Sequence, residues 1–324
     1  MFGFRSDGKR VKHLPGLYNI MPMIMPKRND ALNWNTFDID LEPWNQFINE
    51  QKELTGRVYS YTEILTAAII RVMCLRPGLN RFIFNRKIYQ HNDISFSIVA
   101  QKSLKRGKES DETSIKMHFT GKESLAQIAD VMEAEFKKVK HAGMKNATDK
   151  LTDAICSAAP IFTIPLVSFI KFLDKIGVLP KSVLEASPFH TSFFITDMRS
   201  IKLPPLWHHI YNFGTTGMFF STGSDKEVLS LNKETGEVTS KIVMPVNFVS
   251  DERYCDGYYF ANSFRMMLKI LKNPKLLLEP LADEDVPLDH NALWKKNKLE
   301  AKAQKKQAKK NAKLAKKAKP EVEE

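Results

Sequence analysis

The chain has 324 residues, 43% of them hydrophobic and 10% aromatic, with a formal charge of +12; this is a globular composition, and it excludes collagen-like, disordered and membrane-bundle classes. Twelve lysines and four glutamates between 291 and 324 contribute +8, leaving +4 for everything before them. The basic character therefore belongs to the tail and says little about the surface of the body.

Met1 to Gly16 is charged and lacks the apolar run of a signal peptide. The Met-rich stretch 21–26 reads as irregular. Phe37–Leu41 alternates as a half-buried strand does. Ser60 and Glu63 form a capping box ahead of Ile64, Leu65, Ala68, Ile69, Val72 and Met73, predicting a helix that Pro77-Gly78 ends. Phe82–Phe84, Lys87–Tyr89, Ile94–Ala100 and Thr113–Phe119 follow as strands, and Ser124–Lys140 as a long amphipathic helix.

Ala154–Ile170 is 17 residues without a charge, near the lower limit for a spanning helix. Pro160 and Pro165 interrupt it, which predicts a buried or interface-packed helix broken by proline and no transmembrane span. Thr191–Thr196, Gly217–Thr222, Lys226–Leu231 and Glu237–Val249 read as strands, the last two joined by a hairpin through NKETGE. A helix over Tyr258–Leu271 closes the body. From Trp294 onward lysine alternates with alanine, as in a solvated helix or a disordered tail with weak attraction for an anionic partner. The chain thus divides into an irregular N-terminal segment (1–20), a body (21–285) and a tail (286–324). Cys74, Cys156 and Cys255 have neither disulfide-framework nor zinc spacing, which fits a reducing cytoplasm and no metal.

Chemistry concentrates in Met244–Gly257 (MPVNFVSDERYCDG), where a strand runs into Asp251, Glu252, Arg253 and Asp256 and then into a helix. Locally this is either a site or a solvated corner with Asp256 capping the helix. Order along the chain decides between them. Arg76-Pro77-Gly78-Leu79-Asn80, residues 88–100, Ser192-Phe193-Phe194-Ile195-Thr196-Asp197, Asp251 to Gly257 and the closing Lys272-Asn273-Pro274 appear in sequence. In that arrangement the chain resembles the catalytic domain of the 2-oxoacid dehydrogenase acyltransferases, relatives of chloramphenicol acetyltransferase, over about residues 20 to 280.

The resemblance implies an α/β (α+β two-layer) domain of the chloramphenicol acetyltransferase type, with a mixed sheet and helices on one face. It implies a homotrimer with active sites between subunits, acyl-coenzyme A as co-substrate, and transfer to a thiol, hydroxyl or amine on a small-molecule or carrier-bound acceptor. By position, Thr196 supplies the hydroxyl for the oxyanion, Asp256 the structural carboxylate and Arg253 an orienting partner. Glu252 stands where the family has its catalytic histidine. A free glutamate, with a pKa of about 4.3 against roughly 8.5 for a thiol, is a poorer proton acceptor than imidazole. His208, His209 and His190 flank Thr196 and are the alternative bases; no cofactor-binding residue is singled out. Members of dehydrogenase complexes carry lipoyl modules ahead of the domain, and the roughly 20 residues preceding the resemblance here predict none. The rival reading is a catalytically degenerate homologue that binds a coenzyme-A-like ligand or a partner protein.

Overall fold

Most of the stretches with strand period assemble into one mixed sheet, and most of those with helix period pack against a single face of it. The computed structural model describes residues 5–103, 111–142, 146–157, 159–231 and 233–317. Its elements run β1 (Gly8–Arg10), α1 (Gly16–Ile24), β2 (Leu32–Asp40), α2 (Glu42–Thr55), α3 (Tyr61–Leu75), β3 (Arg81–Phe84), β4 (Lys87–His91), β5 (Ile94–Ser103) and β6 (Asp111–Phe119). There follow α4 (Leu125–Ala142), α5 (Ala147–Cys156), α6 (Pro160–Ile176), α7 (Lys181–Ala186), β7 (Phe193–Asp197), β8 (Met218–Thr222), β9 (Lys226–Leu231), β10 (Val238–Asp251), α8 (Gly257–Lys272) and α9 (His290–Lys317).

The large sheet has the order β2-β10-β8-β7-β5-β6, with β9 paired to the first half of β10, while β1, β4 and β3 form a small sheet. β7 runs parallel to β5 and to β8; the other pairs are antiparallel. Parallel neighbours need crossovers. The one from β5 to β7 holds α4 to α7, and the one from β7 to β8 is the extended segment 198–217. Alternation sorts the strand side chains: Phe193, Ile195, Phe220, Val246 and Phe248 enter the main core with α3, α4 and α8. Phe194, Phe219 and Val249 point to the opposite face, where Ile210 of the crossover covers them. This is the two-layer architecture expected from the sequence.

α3 begins as its capping box requires, with Glu63 N–H donating to Ser60 Oγ at 3.2 Å and Ser60 N–H donating to Glu63 Oε2 at 2.7 Å. The turn after it is tied to α8: the Gly78 N–H donates to the Tyr259 hydroxyl at 3.0 Å, and a Cβ at Gly78 would stand 2.7 Å from that ring. Five elements are absent from the sequence reading, among them the short helices α5 and α7 on either side of α6. β1 and α1 occupy the stretch read as irregular, and α2 buries Trp44, Phe47 and Gln51 without any side-chain N-cap to announce it.

The uncharged stretch corrects two expectations. α5 ends at Cys156, residue 158 lies outside the described residues, and α6 starts with Pro160 at a helix N-terminus, where proline nucleates instead of breaking. The helix continues through Pro165, and none of its residues is buried: Ile161, Phe162, Ile164 and Phe169 are all exposed. Among the described residues no helix is long and apolar enough to cross a membrane. The tail is helical from His290 to Lys317, with 318–324 outside the described residues. Its first turns are anchored. Asn291 Nδ2 donates to the Arg10 carbonyl, its Oδ1 accepts from Lys12 N–H, and Trp294 stacks on His13 at 3.6 Å.

Buried between the small and large sheets, His91 donates from Nε2 to the Thr215 carbonyl at 3.3 Å. Burial lowers its pKa to about 4, against the weaker opposing pull of Asp7 and Asp93. An unfolded histidine, near 6.5, therefore binds a proton between pH 6.5 and 4 that the native one refuses. Stability from this group is complete above pH 6.5 and falls by roughly 3 kcal/mol as pH drops through that window. Urea unfolding at pH 7 and pH 4.5 should show the loss, and His91→Gln should flatten it.

Candidate functional site

The acidic turn is built outward from a buried ion cluster. β10 ends on Asp251, whose side chain is 1% exposed and accepts from both Nε and Nη2 of Arg253, at 2.8 and 2.6 Å. Arg28 approaches the same carboxylate at 3.9 Å. The remaining donors are used on backbone: Arg253 Nη1 to the Met25 carbonyl, Arg28 Nη1 to Tyr211 and Nη2 to Gly214. Burial lowers Arg28 to about 10, with Asp251 opposing the shift, so it stays charged at neutral pH. Gly214 is needed where it stands: its φ is +87°, and a Cβ would lie 2.1 Å from the Phe189 carbonyl oxygen.

On this base Glu252 and Asp256 reach the surface, with Arg253, Tyr254 and Cys255 buried between them. Glu252 is exposed, its backbone N–H fixed on the Ala31 carbonyl at 3.0 Å. It borders a cavity of about 250 Å³ lined by Tyr18, Met21, Cys255, Asp256 and Phe260. Asp256 caps α8, its Oδ1 accepting from Tyr259 N–H at 2.7 Å, and its other oxygen accepts a short hydrogen bond from the Tyr18 hydroxyl. Burial and that carboxylate together push Tyr18 up to about 12, and the same bond lowers Asp256. Cys255 is buried and its thiol is pushed up to about 12 by that burial, so no thiolate nucleophile forms there at neutral pH.

Thr196 lies elsewhere on the chain. It is half-buried on the sheet face away from the helices, its hydroxyl 3.8 Å from Met198 Sδ. Register places it opposite Ser221 of β8, which is opposite Asn247 of β10. Glu252 is five residues further on, one past the end of β10, so about 17 Å separate them along the strand direction, with two strand spacings across. Neither cavity bordering the acidic turn is lined by Thr196. Within one chain the Thr196 hydroxyl and the acidic turn do not meet.

The three histidines separate cleanly. His190 is buried with both nitrogens engaged, Nδ1 with Ser187 Oγ at 2.8 Å and Nε2 with Asp174 Oδ1 at 3.2 Å. Against the upward pull of burial, His190 and Arg5 hold Asp174 down at about 2. His209 is exposed. His208 stacks on Phe219 at 4.0 Å, over the face that carries Thr196, and its Nδ1 donates to the His209 carbonyl at 2.8 Å. Burial lowers His208, which leaves a neutral ring with Nε2 as a free acceptor.

Sequence reasoning missed Arg28, which meets Asp251 only through the tertiary fold, and Tyr18, hidden in a stretch read as irregular. Among the described residues no group of histidine, cysteine or acidic side chains is placed to hold a metal ion.

No family model matches the chain, and no curated protein matches it. Solved structures do. The chain is similar to a probable dihydrolipoamide acetyltransferase of Listeria monocytogenes 4b F2365, at a TM-score of 0.50 and 12% identity over 85% of this chain and 98% of that one. It is similar also to the dihydrolipoamide acetyltransferase of Azotobacter vinelandii, in whose catalytic mechanism a serine, a histidine and an asparagine have roles; there the TM-score is 0.51 and the identity 11%, over 83% and 95% of the two chains. The cubic core of the pyruvate dehydrogenase multienzyme complex gives the same TM-score, identity and coverage. The chain has the fold of these acetyltransferase cores.

Proposed function

We propose that this protein is an acyltransferase that moves an acyl group from coenzyme A to a thiol, hydroxyl or amine, with body 21–285 as the catalytic unit and the working site between copies in a homotrimer. The acceptor's proton passes to Glu252 as its heteroatom attacks the thioester carbonyl. The tetrahedral oxyanion accepts a hydrogen bond from the Thr196 hydroxyl, the C–S bond breaks, and the coenzyme thiolate leaves to take up a proton. Arg253 and Asp256 position the turn and do not touch the reacting atoms. A weak anionic partner for the lysine tail belongs to the same reading.

The observation that carries it is that each half-site is bordered by exposed apolar side chains. Beside Glu252, α1 exposes Leu17, Ile20, Met23 and Ile24; on the Thr196 face Leu206 is exposed, as are Trp34 and Trp207, which pack edge to face at 5.8 Å. Two different patches on one chain are what a closed ring of copies joins, each interface completing one site. Light scattering should give three chains per particle. With acetyl-CoA and dihydrolipoamide, Thr196→Val should lower transfer by about 10², the value of one oxyanion donor, while Thr196→Ser retains most of it. A monomer, or full transfer in the valine variant, overturns the reading. The exposed carboxylate at Glu252 favours the rival, a degenerate protein that binds coenzyme A without turning it over, which appears as binding with no transfer in the wild type.

A further inference from the structure

The largest cavity bordering the acidic turn, about 720 Å³, is a second compartment on the other side of Arg253. Six parts of the chain converge on it: the N-terminal segment, the turn at 26–28, the β3–β4 turn, the end of α6, the loop 212–214 and the β10–α8 turn. Seven cations line it, Arg5, Lys27, Arg28, Arg86, Lys171, Lys175 and Arg253, against one carboxylate, Asp174. Three of the cations are already matched, Arg5 by Asp7 and Asp174, Arg28 and Arg253 by Asp251. Lys27, Arg86, Lys171 and Lys175 have no carboxylate partner among the described residues. Concentrating unmatched positive charge in one concavity costs self-repulsion that an anion relieves.

The backbone adds an independent sign. β3 and β4 are joined by the two-residue turn Asn85-Arg86, with φ of 46° and 58°. Such a turn prefers glycine at its second position, and arginine is strained there. The strained position lines the cavity, and strain held against conformational preference is a mark of function. Phe84 and Phe213 supply flat apolar wall between the cations, and Arg5 lies 4.7 Å over the Phe84 ring.

We propose that this cavity binds a phosphate-bearing ligand of nucleotide size carrying three or four negative charges. A simple anion leaves most of the space and charge unused, and a folded polyanion cannot enter. Coenzyme A and a nucleoside triphosphate share this chemistry, one as the acyl donor's own phosphates and the other as a separate ligand. Binding is read independently of turnover, so the failure of the transferase reading leaves this site untouched.

Isothermal titration calorimetry on the full chain with coenzyme A, ATP and inorganic pyrophosphate is the test. At least one of the first two should bind at micromolar concentration and weaken steeply with salt. Binding of coenzyme A alone assigns the site to the donor, and binding of ATP assigns it to a nucleotide. Arg86→Gly removes the charge and the strain together, so it should weaken binding at least tenfold in a protein at least as stable as the wild type. The exposed pair Lys171→Ala/Lys175→Ala should do likewise. Binding below millimolar by neither coenzyme A nor ATP, with or without pyrophosphate binding, overturns the proposal, as does wild-type affinity in both variants.

Discussion

Asp251→Ala should unfold at markedly lower urea than the wild type, with a loss of about 3–5 kcal/mol. The side chains of Arg28 and Arg253 are 5% and 2% exposed, and among the described residues Asp251 is the only carboxylate paired with either. Removing it leaves two like charges side by side, both with side chains almost wholly buried. Neither arginine can escape, because each is also held by backbone carbonyls, Tyr211 and Gly214 for Arg28 and Met25 for Arg253. Arg28, already lowered to about 10 by burial, gives up more of its proton affinity without the carboxylate. The penalty is that of uncompensated charge and exceeds the net value of the ion pairs themselves. Adding Arg253→Met to Asp251→Ala should therefore recover part of the loss, a non-additivity that a double-mutant cycle reads directly. Equal unfolding midpoints for wild type and Asp251→Ala would mean that the cluster contributes nothing to stability.

That cluster shows where sequence reasoning succeeds and stops. The strands around 94–119 and 217–249 and helices α3, α4 and α8 are legible because each carries its own period, and the helices α3 and α8 carry their own start signals, Ser60 with Glu63 and Asp256 ahead of Gly257. α2 carries a period in Trp44, Phe47 and Gln51 but no cap, and so passes unnoticed. The burial alternative for α6 fails for a different reason: an uncharged run suggests burial within the chain, yet exposure depends on what the rest of the chain leaves uncovered. Arg28 lies beyond local reading altogether. Nothing near it in sequence distinguishes a buried guanidinium from a surface one, and its partner arrives from the far end of β10. Thr196 and Glu252 are legible as candidates through their order along the chain, but their separation follows from strand register, which no single motif contains.

Glu252→His should raise acyl transfer from acetyl-CoA by about 10²–10⁴, the usual range for a positioned general base. The position is favourable for a larger change than most surface substitutions give. Glu252 is exposed beside a cavity, its backbone is pinned on Ala31, and the buried cluster beneath it keeps the turn rigid whichever side chain projects from it. Imidazole adds what a carboxylate lacks, a neutral acceptor at physiological pH with a second nitrogen free to be oriented. The starting rate then separates the alternatives. Measurable transfer in the wild type that rises in the variant means that Glu252 is a working but weak base. Transfer that appears only in the variant means that the natural protein is degenerate. If His208, neutral and stacked over Phe219 on the Thr196 face, is the true base, then Glu252→His leaves the rate unchanged and His208→Ala abolishes it. In that case the acidic turn serves only to hold the start of α8, and the chemistry moves to the crossover between β7 and β8, the one parallel connection in the sheet that runs without an α-helix.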